Sequence, residues 1–176
     1  MITAQVHASQ VSTLQGAEFT VVDKHEQIIE EAAPPPYTTA SLMQDAINLY
    51  GWSSSKVMEV AQLLFENGLI TYPRTDSTSI APEAAAEART VASRLFDQDL
   101  LDPQKSWRFT ESSEGAHEAI RPTYTARLPD QLPEEVNDDM KKLYSLIWRR
   151  YLAWFMRPAT YKLITVELEF DENKGL

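Results

Sequence analysis

Three consecutive prolines, Pro34-Pro35-Pro36, divide this chain. Each ring fixes φ and removes a backbone donor, so neither a helix nor a sheet ladder can run through them. The run reads as a stiff extended linker, and it sets the main boundary, between residues 36 and 37. Before it, Phe19, Val21 and Val22 predict a strand near residues 18–23, while the acidic stretch that follows, to residue 31, shows no clear period. After it, helical spacing takes over. Thr39 is placed to cap a helix over residues 40–50, with Leu42, Ala46, Ile47 and Tyr50 on one face and Gly51 as a stop. Ser53 or Ser54 starts a second helix, whose apolar positions are Val57, Met58, Ala61, Leu64 and Phe65, and Asn67-Gly68 ends it. The pair makes a helical hairpin of helix-turn-helix type.

Pro82 suits the first turn of a third helix running to about Phe96, although Ala81 is a poor cap. Residues 97–115 read as a long polar loop. A fourth helix over residues 134–156 would bury Val136, Met140, Leu143, Ile147, Tyr151, Leu152 and Phe155, and Arg157-Pro158 stops it. Residues 161–170 alternate, placing Ile164, Val166, Leu168 and Phe170 on one face of a half-buried strand. The expected class is therefore mainly α with flanking β-strands (α+β). A helical domain over residues 37–158 is inserted between strand segments at residues 1–36 and 159–176. Two strands alone are marginal in water, so the layout predicts a sheet completed elsewhere and hence a fragment.

The 43% apolar content of the 176 residues supports a packed interior. No apolar run approaches the ~20 residues of a membrane-spanning helix, and no leader pattern follows Met1, which fits a soluble intracellular protein. Absence of cysteine excludes disulfides, thiol catalysis and cysteine-bound zinc. The formal net charge of −10 argues against non-specific nucleic-acid binding through a basic surface. That charge is uneven, with acids concentrated in residues 23–31, 97–102 and 130–139. Any phosphate site must be local.

One such site is Tyr72-Pro73-Arg74. Pro73 pushes Tyr72 into an extended conformation, and in an extended segment residues two apart face the same side. The phenol of Tyr72 and the guanidinium of Arg74 should then share one region of space. A phenol titrates near pH 10 and is a weak nucleophile at neutral pH. A fixed guanidinium favours the phenolate and binds the phosphate being attacked, a pairing suited to phosphoryl transfer onto tyrosine. On these residues alone the favoured reading is a buried Tyr and an exposed Arg beside a turn. Thr75-Asp76-Ser77-Thr78 adds hydroxyls and a carboxylate; Asp76, in phase with Arg74, is a candidate to orient it, and the alternative is an ordinary turn cluster. In Gly115-Ala-His117-Glu118-Ala-Ile-Arg121-Pro122-Thr123, a helical turn would put His117 and Arg121 on one face as a cationic patch, with Glu118 as an orienting acceptor. The alternative is a structural or surface histidine. His7 and His25 lack partners at metal-ligand spacing, Asp97-Gln-Asp99 reads as solvated surface, and no glycine-rich phosphate loop occurs.

Taken together, Pro34-Pro-Pro-Tyr-Thr-Thr39, Gly68-Leu-Ile-Thr-Tyr-Pro-Arg-Thr-Asp-Ser-Thr78 and Gly115-Ala-His-Glu-Ala-Ile-Arg-Pro-Thr123 closely resemble type IA DNA topoisomerases, including the topoisomerase part of reverse gyrase. Order and spacing match, and the helix stretches before Gly68 and at residues 143–149 resemble the family too. The resemblance covers roughly residues 19–170. It implies that Tyr72 forms a 5′-phosphotyrosyl bond with one cleaved DNA strand, that Arg74 positions the scissile phosphate, and that His117 contacts phosphate nearby. Thr71, Ser77 and Arg121 are implied DNA contacts, with Asp76 and Glu118 in support. The flanking strands resemble parts of a hinge domain that lets the tyrosine-bearing domain swing away. The family holds Mg²⁺ in an acidic Toprim domain, which this sequence lacks, so the metal belongs to the intact enzyme and the chain by itself is expected to be inactive. The implied partners are DNA, single-stranded at the cleavage point, and the remaining domains of the parent; no membrane is implied, and the implied location is cytoplasmic, with the nucleoid.

Two other readings come from different classes. A non-enzymatic helix-turn-helix DNA-binding module would need basic residues on its second helix, and that helix offers Lys56 against Glu59 and Glu66. A tyrosine-dependent relaxase would need paired histidines, and no His-x-His occurs.

Overall fold

The computed structural model describes residues 19–103 and 118–170. Among them are four α-helices and two antiparallel strands: β1 (Phe19–Glu31), α1 (Thr39–Tyr50), α2 (Ser54–Glu66), α3 (Pro82–Leu95), α4 (Asp138–Ala153) and β2 (Ala159–Phe170). Single 3₁₀ turns lie at Gln98–Leu100 and Pro129–Gln131. The α+β class expected from the sequence is the class observed. Two compact units result: the ribbon of β1 and β2, and a helical unit over Ala32–Ala159.

The helical unit is organised by α4. The stripe expected of it, Val136, Met140, Leu143, Ile147, Tyr151, Leu152 and Phe155, is buried, with Val136 and Phe155 just beyond the helix ends, and Tyr144 and Trp148 join it. Full burial of one Leu or Ile side chain stabilises by roughly 1.5–3 kcal/mol, so the stripe outweighs any helix-propensity term. Helix α4 is shorter than its periodicity suggests. Asn137 caps it, its side chain accepting from Met140 N at 2.9 Å, and residues before that cap cannot be helical. Helices α1 and α2 pack on each other and on α4. Leu42 and Ala46 of α1 are buried, as are Val57, Val60, Ala61 and Leu64 of α2, whereas Ile47 and Phe65, expected inside, lie on the exposed flanks.

The caps explain where these helices stop and start. Thr38, not Thr39, caps α1, in a reciprocal arrangement with Ser41. Ser53 caps α2, accepting from Lys56 N. At the far end of α2, Gly68 N donates to Phe65 O (2.8 Å) and Leu69 N to Leu64 O (2.9 Å), with Gly68 at φ +66°. This is a Schellman ending, which needs a left-handed residue and turns the chain back along the helix.

In the ribbon, β1 runs through the acidic stretch in which no period was visible. Pairing with β2 supplies the order: Lys162 of β2 and Lys24 both bind the Glu26 carboxylate. Those ammonium groups, Lys162 foremost, hold Glu26 below the usual carboxylate range. The expected half-buried strand at residues 161–170 is corrected. Ile164, Val166 and Leu168 are 47%, 44% and 54% exposed. Alternation supplies an apolar face, but burial needs a second layer, and the described residues of this unit provide none.

Gly68→Ala tests the helix ending. Space is available for a Cβ, so the cost is the left-handed backbone alone, about 1–2 kcal/mol. Urea unfolding of the 176-residue chain should show that loss, with Gly68→Asn losing less.

Candidate active site around Tyr72

The chain reversal after α2 leads directly into a short antiparallel pairing. Ile70 bridges Pro122, Thr71 N donates to Arg121 O (2.9 Å), and Thr123 N donates to Leu69 O (3.0 Å). The same partner segment pairs with Tyr37 through Ile120 N to Tyr37 O (2.8 Å), and with Ser79 through Ala119 N to Ser79 O (2.8 Å). Residues 118–123 thus thread between the linker and both ends of the Tyr72 segment. Leu69, Ile70 and Ile120 are buried beneath this seam.

Beyond the seam the chain is extended, and exposure alternates: Tyr72, Arg74, Asp76 and Thr78 are exposed, while Pro73 and Thr75 are buried. That alternation is what an extended segment over a packed surface requires, and it presents Tyr72 and Arg74 on the same solvent side. Tyr72 is 45% exposed, and its ring meets Phe65 of α2 edge-to-face, centroids 5.4 Å apart. Phe65 carried no functional reading in the sequence; its exposed flank position becomes meaningful only when the Schellman turn brings Tyr72 back beside it.

Four of the seven tyrosines have engaged hydroxyls. Tyr37 donates to Asp45 Oδ2 (2.6 Å), Tyr50 to Lys142 O (3.3 Å), Tyr144 to Arg127 O (2.7 Å) and Tyr151 to Ala84 O (3.0 Å). Burial raises all four phenols above their ordinary value, Tyr144 to about 12, and at Tyr37 the Asp45 carboxylate adds to the effect. None is a usable nucleophile. Tyr72, Tyr124 and Tyr161 are exposed, with hydroxyls bonded to no described residue, and of these three only Tyr72 lies in the extended segment beside Arg74. Arg74 and Asp76 form no ion pair with each other or with another described residue, so the expected orienting contact from Asp76 is not made.

The remaining candidates form a different network. Thr71 Oγ1 donates to Ala119 O (2.7 Å) and accepts from Arg121 N (3.0 Å), which leaves no hydroxyl proton for a phosphate. Glu118 accepts from Arg121 Nη2 (2.6 Å) through one oxygen and from Ala81 N (2.8 Å) through the other. Arg121 Nη1 donates to Pro122 O, and its side chain is only 11% exposed. Glu118 therefore takes up the N–H of the cap residue itself, as the acidic partner of a capping box does, and ties the start of α3 to this segment. Helical placement of this stretch is corrected: residues 118–122 are extended, because Pro122 excludes Arg121 from helical geometry. His117 lies outside the described residues. Ser77 Oγ accepts from Ser79 N (3.1 Å) and Ser77 N donates to Thr75 Oγ1 (3.0 Å), so Ser77 retains a proton to donate. Among the described residues, no three His, Asp or Glu side chains converge as a metal-ligand set.

A family model described as DNA topoisomerase matches residues 2–175, and the chain belongs to that family. Its relatives place it among the type IA enzymes. It is 36% identical to DNA topoisomerase 1 of Thermotoga maritima over 95% of this chain and 28% of that protein. It is 40% identical to reverse gyrase of Pyrobaculum aerophilum over 78% of this chain and 12% of that protein. The structure of full-length topoisomerase I from Thermotoga maritima superposes with a TM-score of 0.70 at 35% identity, covering 96% of this chain and 28% of that one. The chain thus spans about a quarter or less of the length of these relatives.

Glu118→Ala removes a charge-assisted bond and the contact to Ala81, and should lower stability by about 2 kcal/mol in urea titrations. Glu118→Asp, too short to reach both partners, should recover only part of it.

Proposed function

We propose that this chain is the tyrosine-bearing part of a longer type IA DNA topoisomerase and that Tyr72 is its nucleophile. The observation that carries the reading is that Tyr72 and Arg74 face outward on the same side of one extended segment, phenol and guanidinium both free of partners among the described residues. The Tyr72 oxygen attacks the phosphorus of one strand and gives up its proton. The bond to the 3′-oxygen breaks, that oxygen takes a proton, and a 5′-phosphotyrosyl link remains. Attack by the 3′-hydroxyl reverses the step and reseals the strand. Arg74 binds the phosphate oxygens and offsets the charge that accumulates in the transition state. His117 and Ser77 are proposed as further phosphate contacts. Thr71, Glu118 and Arg121 are proposed to act by fixing the segment that carries Tyr72.

The intact enzyme is proposed to hold Mg²⁺ in a Toprim domain elsewhere in its chain, because the described residues do not fit a metal site, and no step above runs through the metal. The uncovered ribbon of β1 and β2 fits a hinge region completed by the same longer protein, whose opening lets a second strand pass. DNA, single-stranded at the cleavage point, is the proposed substrate, and the cytoplasm and nucleoid the proposed location. Among the described residues no helix is long and apolar enough to cross a membrane. The groove-reading alternative loses support from α2: its Lys56 is tied to Asp139 at 2.8 Å and stacks on Trp52.

In the full-length protein, Tyr72→Phe should abolish covalent attachment to labelled single-stranded DNA on denaturing gels while leaving DNA binding largely intact. A persistent adduct removes Tyr72 from the role. Arg74→Ala should slow cleavage by about 3 kcal/mol, the loss of one charge-stabilising contact. Single-turnover cleavage rates measure it.

A further inference from the structure

Thr39 occupies the first position of α1, yet its side chain is not used for that helix. Thr38 caps α1, which leaves the second hydroxyl of the pair free for a distant partner. Thr39 Oγ1 donates to Pro73 O at 2.8 Å, with Thr75 O as a longer second acceptor at 3.1 Å, and accepts from Thr75 N at 2.8 Å. Its backbone N–H, one of the donors a helix start leaves without a partner, is given to Thr75 O at 2.9 Å. The carbonyl of Pro73 and the N–H of Thr75 belong to the two peptide groups on either side of Arg74. A single hydroxyl therefore grips both, and with Thr75 buried and Pro73 fixed in φ, the backbone of Arg74 has little freedom left. Arg74 makes no side-chain contact to a described residue that could hold it instead.

We propose that Thr39 is a positioning residue for Arg74: by holding both flanking peptide groups it aims the guanidinium at the phosphate that Tyr72 attacks. This rests on the roles given above to Tyr72 and Arg74. A guanidinium on a flexible stem gains most from a fixed root, because its stem still costs rotamer entropy when it engages phosphate, and misplacement of a reacting group by about 1 Å can cost on the order of 100-fold in rate.

The test is single-turnover cleavage of labelled single-stranded DNA by the full-length protein, with DNA affinity measured in parallel. Thr39→Val keeps the shape and removes the side-chain hydrogen bonds to Pro73 and Thr75; it should slow cleavage roughly 10-fold or more with little change in affinity. Thr39→Ser, which restores the hydroxyl, should return the rate close to the parent's. Thr39→Cys, a weak donor of similar size, should fall between and serves if the Val variant does not fold. The decisive arm is Thr39→Val combined with Arg74→Ala: a residue acting through Arg74 should cause no further slowing there. An undiminished loss in that background, or parent-like cleavage by both Thr39→Val and Thr39→Cys, overturns the proposal. Covalent adduct surviving Tyr72→Phe would instead overturn the nucleophile assignment, so the two failures are distinguishable.

Discussion

The hydrogen-bonded seam between residues 69–71 and 119–123 is the constraint on which the site depends. Its members are few, and each net hydrogen bond contributes only about 1 kcal/mol. Their value lies in what they leave no room for. Thr71 uses both faces of its hydroxyl on the partner segment, and Ile70 and Ile120 are sealed beneath it. Opening the seam would expose those side chains and orphan several backbone groups at once. Glu118, at the edge of the same segment, joins the seam to the start of α3 and to Arg121. Tyr72 therefore leaves a rigid platform rather than a loose loop.

Around this platform the polar groups divide into those consumed and those offered. Tyr37, Asp45 and Arg150 form a closed set, in which Arg150 also donates to Pro35 O and lies 4.7 Å from the Tyr37 ring. That set ties the proline linker to α4. Tyr144 and Tyr151 spend their hydroxyls on backbone carbonyls. By contrast, the Tyr72 phenol and the Arg74 guanidinium beside it have no hydrogen-bond or ion-pair partner among the described residues. The net charge of −10 is an average over the chain: Glu118 is spent on Arg121 and Asp45 on Tyr37 and Arg150, whereas Asp76, two residues from Arg74, is engaged by no described residue.

Much of the helical unit was legible because helix burial follows a local period. The α4 stripe, the Ser53 cap and the Gly51 and Gly68 stops were readable from spacing and residue type. The extended course after Tyr72 was readable too, since Pro73 acts on its own neighbour. Phe65 and Ile47 were misplaced because periodicity marks an apolar stripe without saying how wide the covering surface is. The helical turn assigned to residues 117–121 ignored the same proline rule at Pro122. Arg121 read as part of a cationic patch and Thr71, through the resemblance, as a DNA contact; that both are hydrogen-bonded within the chain is visible only in the fold. The exposure of β2 could not be foreseen from alternation, which defines a face and not its cover.

By itself the sequence determined the local geometry: where helices stop, where φ is fixed, and that Tyr72 and Arg74 lie two apart in an extended stretch. Those are consequences of covalent structure and near neighbours. Tertiary structure alone decided which tyrosines spend their hydroxyls inside the fold, which arginine is spent on Glu118, and that the Thr39 hydroxyl reaches the peptide groups around Arg74. These are contacts between residues far apart in the chain. They arise only once burial has chosen which surfaces meet, and no local rule contains that choice.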